Sequence, residues 1–302
     1  MAGRDQEAVR IIRELAAAGD RDALFMLAEM TWRGGLVDQD SYAARRLYET
    51  ARGHRRAEAY ATNLLASGIA GPRDWQAALR RLKSEAARDP VRRRTLDLIK
   101  AMDLDAKGDP RSVPEAQALS ETPFAILFPK LVSAAECRYL IALAEPTYQP
   151  SMVYDDQRQL VRDPIRTSDG STVHWLIEDP AVQAVNRRIA AASGTAYEAG
   201  ETLQSLRYFP GQEYRPHFDF VPGDNQRLWT ALIYLNDDYE GGETEFVRTG
   251  LKVRGSRGDV LLFRSATEQG ELEPLSEHAG LPVTSGVKYL ATRWIREKRW
   301  IP

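Results

Sequence analysis

Leu206-Arg207-Tyr208-Phe209-Pro210-Gly211-Gln212-Glu213-Tyr214-Arg215-Pro216-His217-Phe218-Asp219 ends in a histidine and a carboxylate two residues apart. On a strand, residues i and i+2 project from the same face, so His217 and Asp219 can converge on one point. His278 follows in Glu277-His278-Ala279-Gly280. Arriving on a distant strand, it completes a face of two histidines and one carboxylate. Such a ligand set suits non-haem iron(II), because three protein ligands on one face leave positions open for a cosubstrate and oxygen. Only four histidines exist, His54, His174, His217 and His278. His54 falls in a helical stretch and His174 in a loop before a helix, where surface or local hydrogen-bonding roles suffice.

A histidine and an aspartate at this spacing also meet by chance. Lys288 adds weight to the pair. Read as a strand, Gly286-Val287-Lys288-Tyr289-Leu290-Ala291-Thr292-Arg293-Trp294 puts Lys288, Leu290, Thr292 and Trp294 on one face. A lysine sharing a face with Leu and Trp needs an anion, since burying an unpaired ammonium is costly. A dicarboxylate cosubstrate inside a barrel would supply one.

The opening stretch, together with Leu232-Ile233-Tyr234-Leu235-Asn236, Gly241-Gly242-Glu243-Thr244, Gly258-Asp259-Val260-Leu261-Leu262-Phe263, His278-Ala279-Gly280-Leu281-Pro282-Val283 and Gly286 to Trp294, resembles the prolyl 4-hydroxylase-type 2-oxoglutarate/iron(II) dioxygenases. The motifs occur in family order and span roughly 123–296. The resemblance implies iron(II) on His217, Asp219 and His278, with no catalytic residue beyond the metal centre. It implies 2-oxoglutarate and O2 as cosubstrates, succinate and CO2 as products, L-ascorbate as reductant, and a peptidyl substrate, proline first. It also puts Lys288 and Tyr234 at the distal carboxylate of 2-oxoglutarate and Tyr208 nearby. The alternative for each tyrosine is a barrel-core aromatic with its hydroxyl satisfied by backbone. Arg166-Thr167-Ser168 is similar to a family segment near the mouth of the site. Arg166 and Ser168 are therefore candidates for substrate contact, with a structural loop salt bridge as the alternative.

The first hundred residues repeat. Ala17, Gly19, Ala23, Leu27, Met30 and Gly34 recur 34 positions later as Ala51, Gly53, Ala57, Ala61, Leu64 and Gly68, and Asp40 and Ala44 as Asp74 and Ala78. That period predicts stacked helical hairpins of the tetratricopeptide kind. Helices are expected over 6–18, 22–33, 40–52, 56–67, 74–88 and 91–104. Asp40, Asp74 and Asp89 are placed to cap them, and Pro90 stands at a first helical position. Residues 106–117, with one Gly and two Pro, read as a linker. The expected organisation is helical repeats over 1–105, that linker, and a dioxygenase domain over 118–302.

Within the second part, 124–128 reads as a strand. Ser133 and Glu136 form a capping box before a helix carrying Cys137 as a core residue. Residues 148–171 read as irregular, and 179–192 as an amphipathic helix. Short strands follow at 203–209, 229–235, 259–263 and 287–295. The fold class is α+β: an α-helical repeat domain, then a double-stranded β-helix (jelly-roll) domain with flanking helices.

Of the 302 residues, 43% are hydrophobic and 28% charged, with net charge −2, so there is no electrostatic case for a nucleic-acid partner. No run is long enough to span a membrane. The N-terminus turns charged and helical at once and does not read as a signal peptide. A single cysteine fits a reducing, cytoplasmic setting. Two other readings stand beside the peptidyl hydroxylase: a non-catalytic interaction protein built on the repeats, and a hydroxylase of a small molecule.

Overall fold

The computed structural model describes residues 2–154, 159–267 and 269–301. Six helices come first: α1 (Ala2–Ala17), α2 (Arg21–Arg33), α3 (Ser41–Thr50), α4 (Arg55–Ser67), α5 (Trp75–Glu85) and α6 (Pro90–Ala101). Helices α2 and α4 begin 34 residues apart, as do α3 and α5. Each helix packs on the next. Alanine is what lets them approach, and Ala28, Ala44, Ala57, Ala61, Ala66 and Ala78 are fully buried.

The starts of these helices are set locally. Asp20, Asp40, Asp74 and Asp89 each accept from a first-turn N–H at 2.8–2.9 Å. His54 does the same for α4, its Nδ1 3.2 Å from Ala57 N, with its ring stacked on Phe25 at 4.2 Å. These caps satisfy N–H groups that the helix itself leaves orphaned.

By internal contacts the helical unit comprises residues 1–109 together with Trp175–Ala184. The start of the expected linker is a folded turn. Asp105 accepts from Lys107 N and Asp109 N at 2.8 and 2.9 Å, and Arg73 reaches the Lys107 carbonyl. Gly108, at φ +80°, lies against the Trp75 ring, where a Cβ has no room. The segment 175–184 joins through buried hydrogen bonds: Asn63 Nδ2 to Leu176 O (2.8 Å), Gln183 Nε2 to Asn63 O (2.9 Å) and Thr95 Oγ1 to Asp179 (2.8 Å). Sequence periodicity carries no sign of such a long-range insertion.

The second unit is built on strands. They are β1 (Gln117–Glu121), β2 (Phe124–Phe128), β3 (Gln149–Pro150), β4 (Met152–Tyr154), β5 (Leu160–Arg162), β6 (Asp169–Val173), β7 (Leu203–Tyr208), β8 (Tyr214–His217), β9 (Arg227–Tyr234), β10 (Tyr239–Gly241), β11 (Thr244–Phe246), β12 (Leu251–Val253), β13 (Val260–Arg264), β14 (His278–Gly280), β15 (Val283–Gly286) and β16 (Lys288–Arg296). Two helices flank them, α7 (Ala134–Ala144), with its Ser133/Glu136 capping box formed, and α8 (Pro180–Ser193).

An eight-stranded sheet runs β1-β2-β13-β9-β16-β7-β6-β3, and a four-stranded sheet runs β12-β11-β14-β8. Every pairing is antiparallel. Inner-face residues from both sheets form one core: Leu206, Leu232, Tyr234, Phe263 and Leu290 from the large sheet, Phe246 and Val253 from the small. This is the double-stranded β-helix expected. The 148–171 stretch departs from expectation, since β3, β4 and β5 lie in it and β6 begins in it; residues 155–158 of that stretch lie outside the described residues. Strands of two or three residues pair through backbone and leave no periodicity to read. Among the described residues no helix is long and apolar enough to cross a membrane.

Candidate metal centre

Antiparallel register brings the two histidines together. In the β14–β8 pairing His278 lies directly opposite His217, with ring centroids 4.3 Å apart. Asp219 sits just past the end of β8, 5% exposed. His217 Nε2 is 3.8 Å from Asp219 Oδ1, and His278 Nε2 is 3.6 Å from Asp219 Oδ2. One ligand atom from each residue lies within 4.8 Å of the others.

Both rings are oriented by the same device. His217 Nδ1 is 2.9 Å from Arg215 O, and His278 Nδ1 is 2.9 Å from Ser276 O. A carbonyl only accepts, so each Nδ1 carries the proton and each Nε2 presents a lone pair to the shared point. Thr230 Oγ1 donates to Asp219 Oδ2 at 2.7 Å, fixing the carboxylate. Tyr214 stacks on His217 at 3.4 Å, and Phe263 meets His278 edge-on at 4.8 Å.

Burial, with His278 alongside, pushes His217 down to about 4, which keeps its imidazole neutral and able to ligate. Burial alone would raise Asp219; the two histidines and the Thr230 hydrogen bond outweigh it and hold the carboxyl below its usual range. Two imidazoles turned by their Nδ1 contacts to present Nε2, together with a carboxylate, are a donor set that fits a divalent iron ion.

The cavity beside this face is lined by residues of both sheets, including Tyr208, Leu232, Thr244, Lys288, Leu290, Thr292 and Trp294. The alternation along β16 is thus as read from sequence. Lys288 is 2% exposed, and its Nζ donates to Gly242 O at 2.7 Å and stands 5.4 Å from the Tyr208 ring centroid. Burial pushes the ammonium down to about 8, against the pull of Glu243. Gly242, at φ +68°, makes room, because a Cβ there would be 3.1 Å from Lys288 Cδ. Tyr208 pairs in register with Lys288 across β7–β16, and burial raises its hydroxyl to about 12.

The other candidates separate. Arg166 lines the cavity, its Nη1 3.4 Å from Gln204 Oε1 and its guanidinium over Tyr214 at 5.4 Å. Ser168 is fully buried behind Tyr208 and hydrogen-bonds its hydroxyl. Tyr234 shares the inward face but lies in the core, its hydroxyl 3.2 Å from Thr244 Oγ1 and 3.4 Å from Val253 O. Sequence reasoning missed the bond from Thr230 to Asp219 and the stacking of Tyr214 on His217. A hydroxyl two positions from Leu232 on an inward face was the available signal for Thr230.

Residues 203–296 match the model of the 2OG-Fe(II) oxygenase superfamily. Prolyl 4-hydroxylase 1 of Arabidopsis thaliana is 37% identical over 203 residues, covering 60% of this chain and 72% of the relative. Probable prolyl 4-hydroxylase 9 of the same plant is 31% identical over 249 residues, covering 72% and 86%. Among solved structures, the viral collagen prolyl hydroxylase of Paramecium bursaria Chlorella virus-1, as its 2OG complex, is 28% identical with a TM-score of 0.44, covering 57% of this chain and 95% of that one. The chain belongs to the prolyl 4-hydroxylase family of 2-oxoglutarate/iron(II) oxygenases, and it is a 2-oxoglutarate-dependent dioxygenase.

Proposed function

We propose that this dioxygenase hydroxylates a peptidyl residue, proline first. The observation that carries the reading is the convergence of His217 Nε2, His278 Nε2 and the Asp219 carboxylate beside a cavity that also holds a buried lysine. In this reading His217, Asp219 and His278 hold iron(II). Bound together, iron(II) and 2-oxoglutarate supply the oxidising chemistry, in which O2 converts 2-oxoglutarate to succinate and CO2 while a substrate C–H becomes C–OH.

The chain's own groups do the positioning. Carbonyls of Arg215 and Ser276 lock both imidazole tautomers, and Thr230 fixes the carboxylate. Lys288, desolvated and donating to the neutral carbonyl of Gly242, meets the distal carboxylate of the cosubstrate. Tyr208 borders it, its hydroxyl steadied by Ser168. Ser168 therefore acts through Tyr208 in our reading. Tyr234, with its hydroxyl engaged, serves as core. Arg166, on the cavity wall, is available to a carbonyl of the substrate peptide.

The names of the relatives support proline as the target. The 34-residue spacing of α2/α4 and α3/α5 supports tetratricopeptide-like repeats over 1–105 that hold a protein substrate. We further assign residues 118–302 to the dioxygenase domain, L-ascorbate to reductant, and, from the single buried Cys137, the cytoplasm as the setting. The test is incubation with iron(II), ascorbate, 2-oxoglutarate and a proline-repeat peptide, followed by mass spectrometry. A gain of one oxygen atom on proline is expected. Stoichiometric succinate with an unmodified peptide would reject peptidyl proline and favour a small-molecule substrate.

A further inference from the structure

Trp294 carries an unspent hydrogen bond. It lines the metal cavity, and its indole Nε1 is buried with no hydrogen-bond partner among the described residues. An indole nitrogen only donates, and a buried donor left unpaired is unfavourable, so this N–H is arranged for something that enters the cavity. In the β16–β9 register Trp294 stands opposite Thr230, the residue that holds Asp219. Lys288 begins the same inward row six residues earlier. The indole thus stands on the metal's side of the cavity, at the other end of that row from the lysine.

The ring is held from outside the cavity. Arg227 lies over its face, with Cζ 3.8 Å from the ring. Glu201 grips Arg227 at two points, Nε to Oε1 at 2.7 Å and Nη2 to Oε2 at 2.9 Å. The Glu201 N–H also donates to Trp294 O at 2.8 Å, so one residue anchors both the backbone of Trp294 and the cation on its ring. Arg296 donates to the same carboxylate at 2.7 Å and stacks on Trp300 at 3.9 Å. The weakest of the Arg227 contacts runs from Nη1 to Asp219 O at 3.5 Å.

We propose that Arg227, oriented by Glu201, is a positioning residue that fixes the plane of the Trp294 indole, so that its N–H is aimed at the substrate beside the metal. The proposal rests on the hydroxylase reading. A planar guanidinium can bind a carboxylate in two places and lie flat on an indole at once; a lysine cannot do both. Without the clamp the indole gains rotamers, the substrate C–H is presented loosely, and 2-oxoglutarate is consumed without matching hydroxylation.

Uniform 5-fluorotryptophan labelling gives a fluorine NMR resonance for each of the six tryptophans, and Trp294→Phe identifies the one of interest. In Arg227→Leu and in Arg227→Lys, the Trp294 resonance is expected to broaden or split while those of Trp32 and Trp75 stay sharp. With iron(II), 2-oxoglutarate and a proline-repeat peptide, succinate formed per hydroxylated residue is expected to rise roughly ten-fold, with KM for 2-oxoglutarate within about two-fold of wild type. Arg227→Lys keeps the charge opposite Glu201 and is read in the same way if Arg227→Leu does not fold. A sharp, unshifted Trp294 resonance in Arg227→Lys, or an unchanged ratio, overturns the proposal. If wild type itself forms no succinate, the hydroxylase reading fails, and the fluorine spectrum alone decides whether Arg227 clamps Trp294.

Discussion

At the residue scale, everything turns on how few groups the cavity offers a charged guest. Replacing Asp219 with Ala leaves two imidazoles that cannot hold an ion rigidly. Succinate formation is expected to fall by at least about a hundred-fold, with iron lost on dialysis, as read by metal analysis. Thr230→Val preserves shape but removes the donor on Asp219. Iron(II) affinity should weaken by about ten- to a hundred-fold in a calorimetric titration, and an unchanged value would show that Thr230 merely packs. Lys288→Ala should raise the 2-oxoglutarate requirement by the equivalent of about 3–5 kcal/mol while sparing iron affinity, as read from paired titrations. The lysine also sets a pH limit. Its ammonium is pushed down to about 8 in the free protein, so the charge that meets a carboxylate is present below pH 8 and lost as pH rises through it. KM for 2-oxoglutarate should therefore climb above pH 8. For folding the sign is opposite: the unfolded lysine keeps its proton longer, so this group makes stability rise with pH above 8 until the unfolded lysine also titrates.

At the element scale, the site depends on register and on one turn. His278 meets His217 only because β14 pairs with β8 as it does, with an irregularity between His278 and Gly280. A slip of one residue would put the two histidines on opposite faces. Gly242 supplies both the φ of +68° and the space beside Lys288 Cδ. Gly242→Ala should cost about 1–2 kcal/mol in backbone strain, seen as a lower Tm, and should also raise KM for 2-oxoglutarate through displacement of Lys288. A variant with lowered Tm and unchanged KM would show that the lysine tolerates the intrusion.

At the scale of the whole molecule, the helical unit is not one continuous stretch of sequence. Residues 175–184 sit between β6 and the body of α8 in sequence, yet they pack with the helical unit. Deleting residues 1–109 removes the partners of the Leu176 carbonyl, Gln183 and Asp179. Three buried hydrogen bonds at about 1 kcal/mol each put the loss near 3 kcal/mol. The truncated enzyme should unfold at lower denaturant than the full chain in a urea titration. Equal midpoints would show that these ten residues fold independently of the helices.

Much of this was legible in sequence because it is written in local chemistry. Aspartates before helices, a 34-residue period, alternation along β16 and the spacing of His217 and Asp219 each reflect backbone geometry acting over a few residues. The double-stranded β-helix and the His217, Asp219 and His278 set were legible through the resemblance that several such motifs carry when taken in order. Tertiary structure alone decided what distant segments do to one another. It brought the Tyr234 hydroxyl to Thr244 and Val253, and the Ser168 hydroxyl to Tyr208. It joined 175–184 to the helices and laid Arg227 on Trp294. Hydrogen bonds and ring contacts across dozens of residues have no period. Their partners are chosen by packing after the chain closes on itself, so no pattern along the sequence records them.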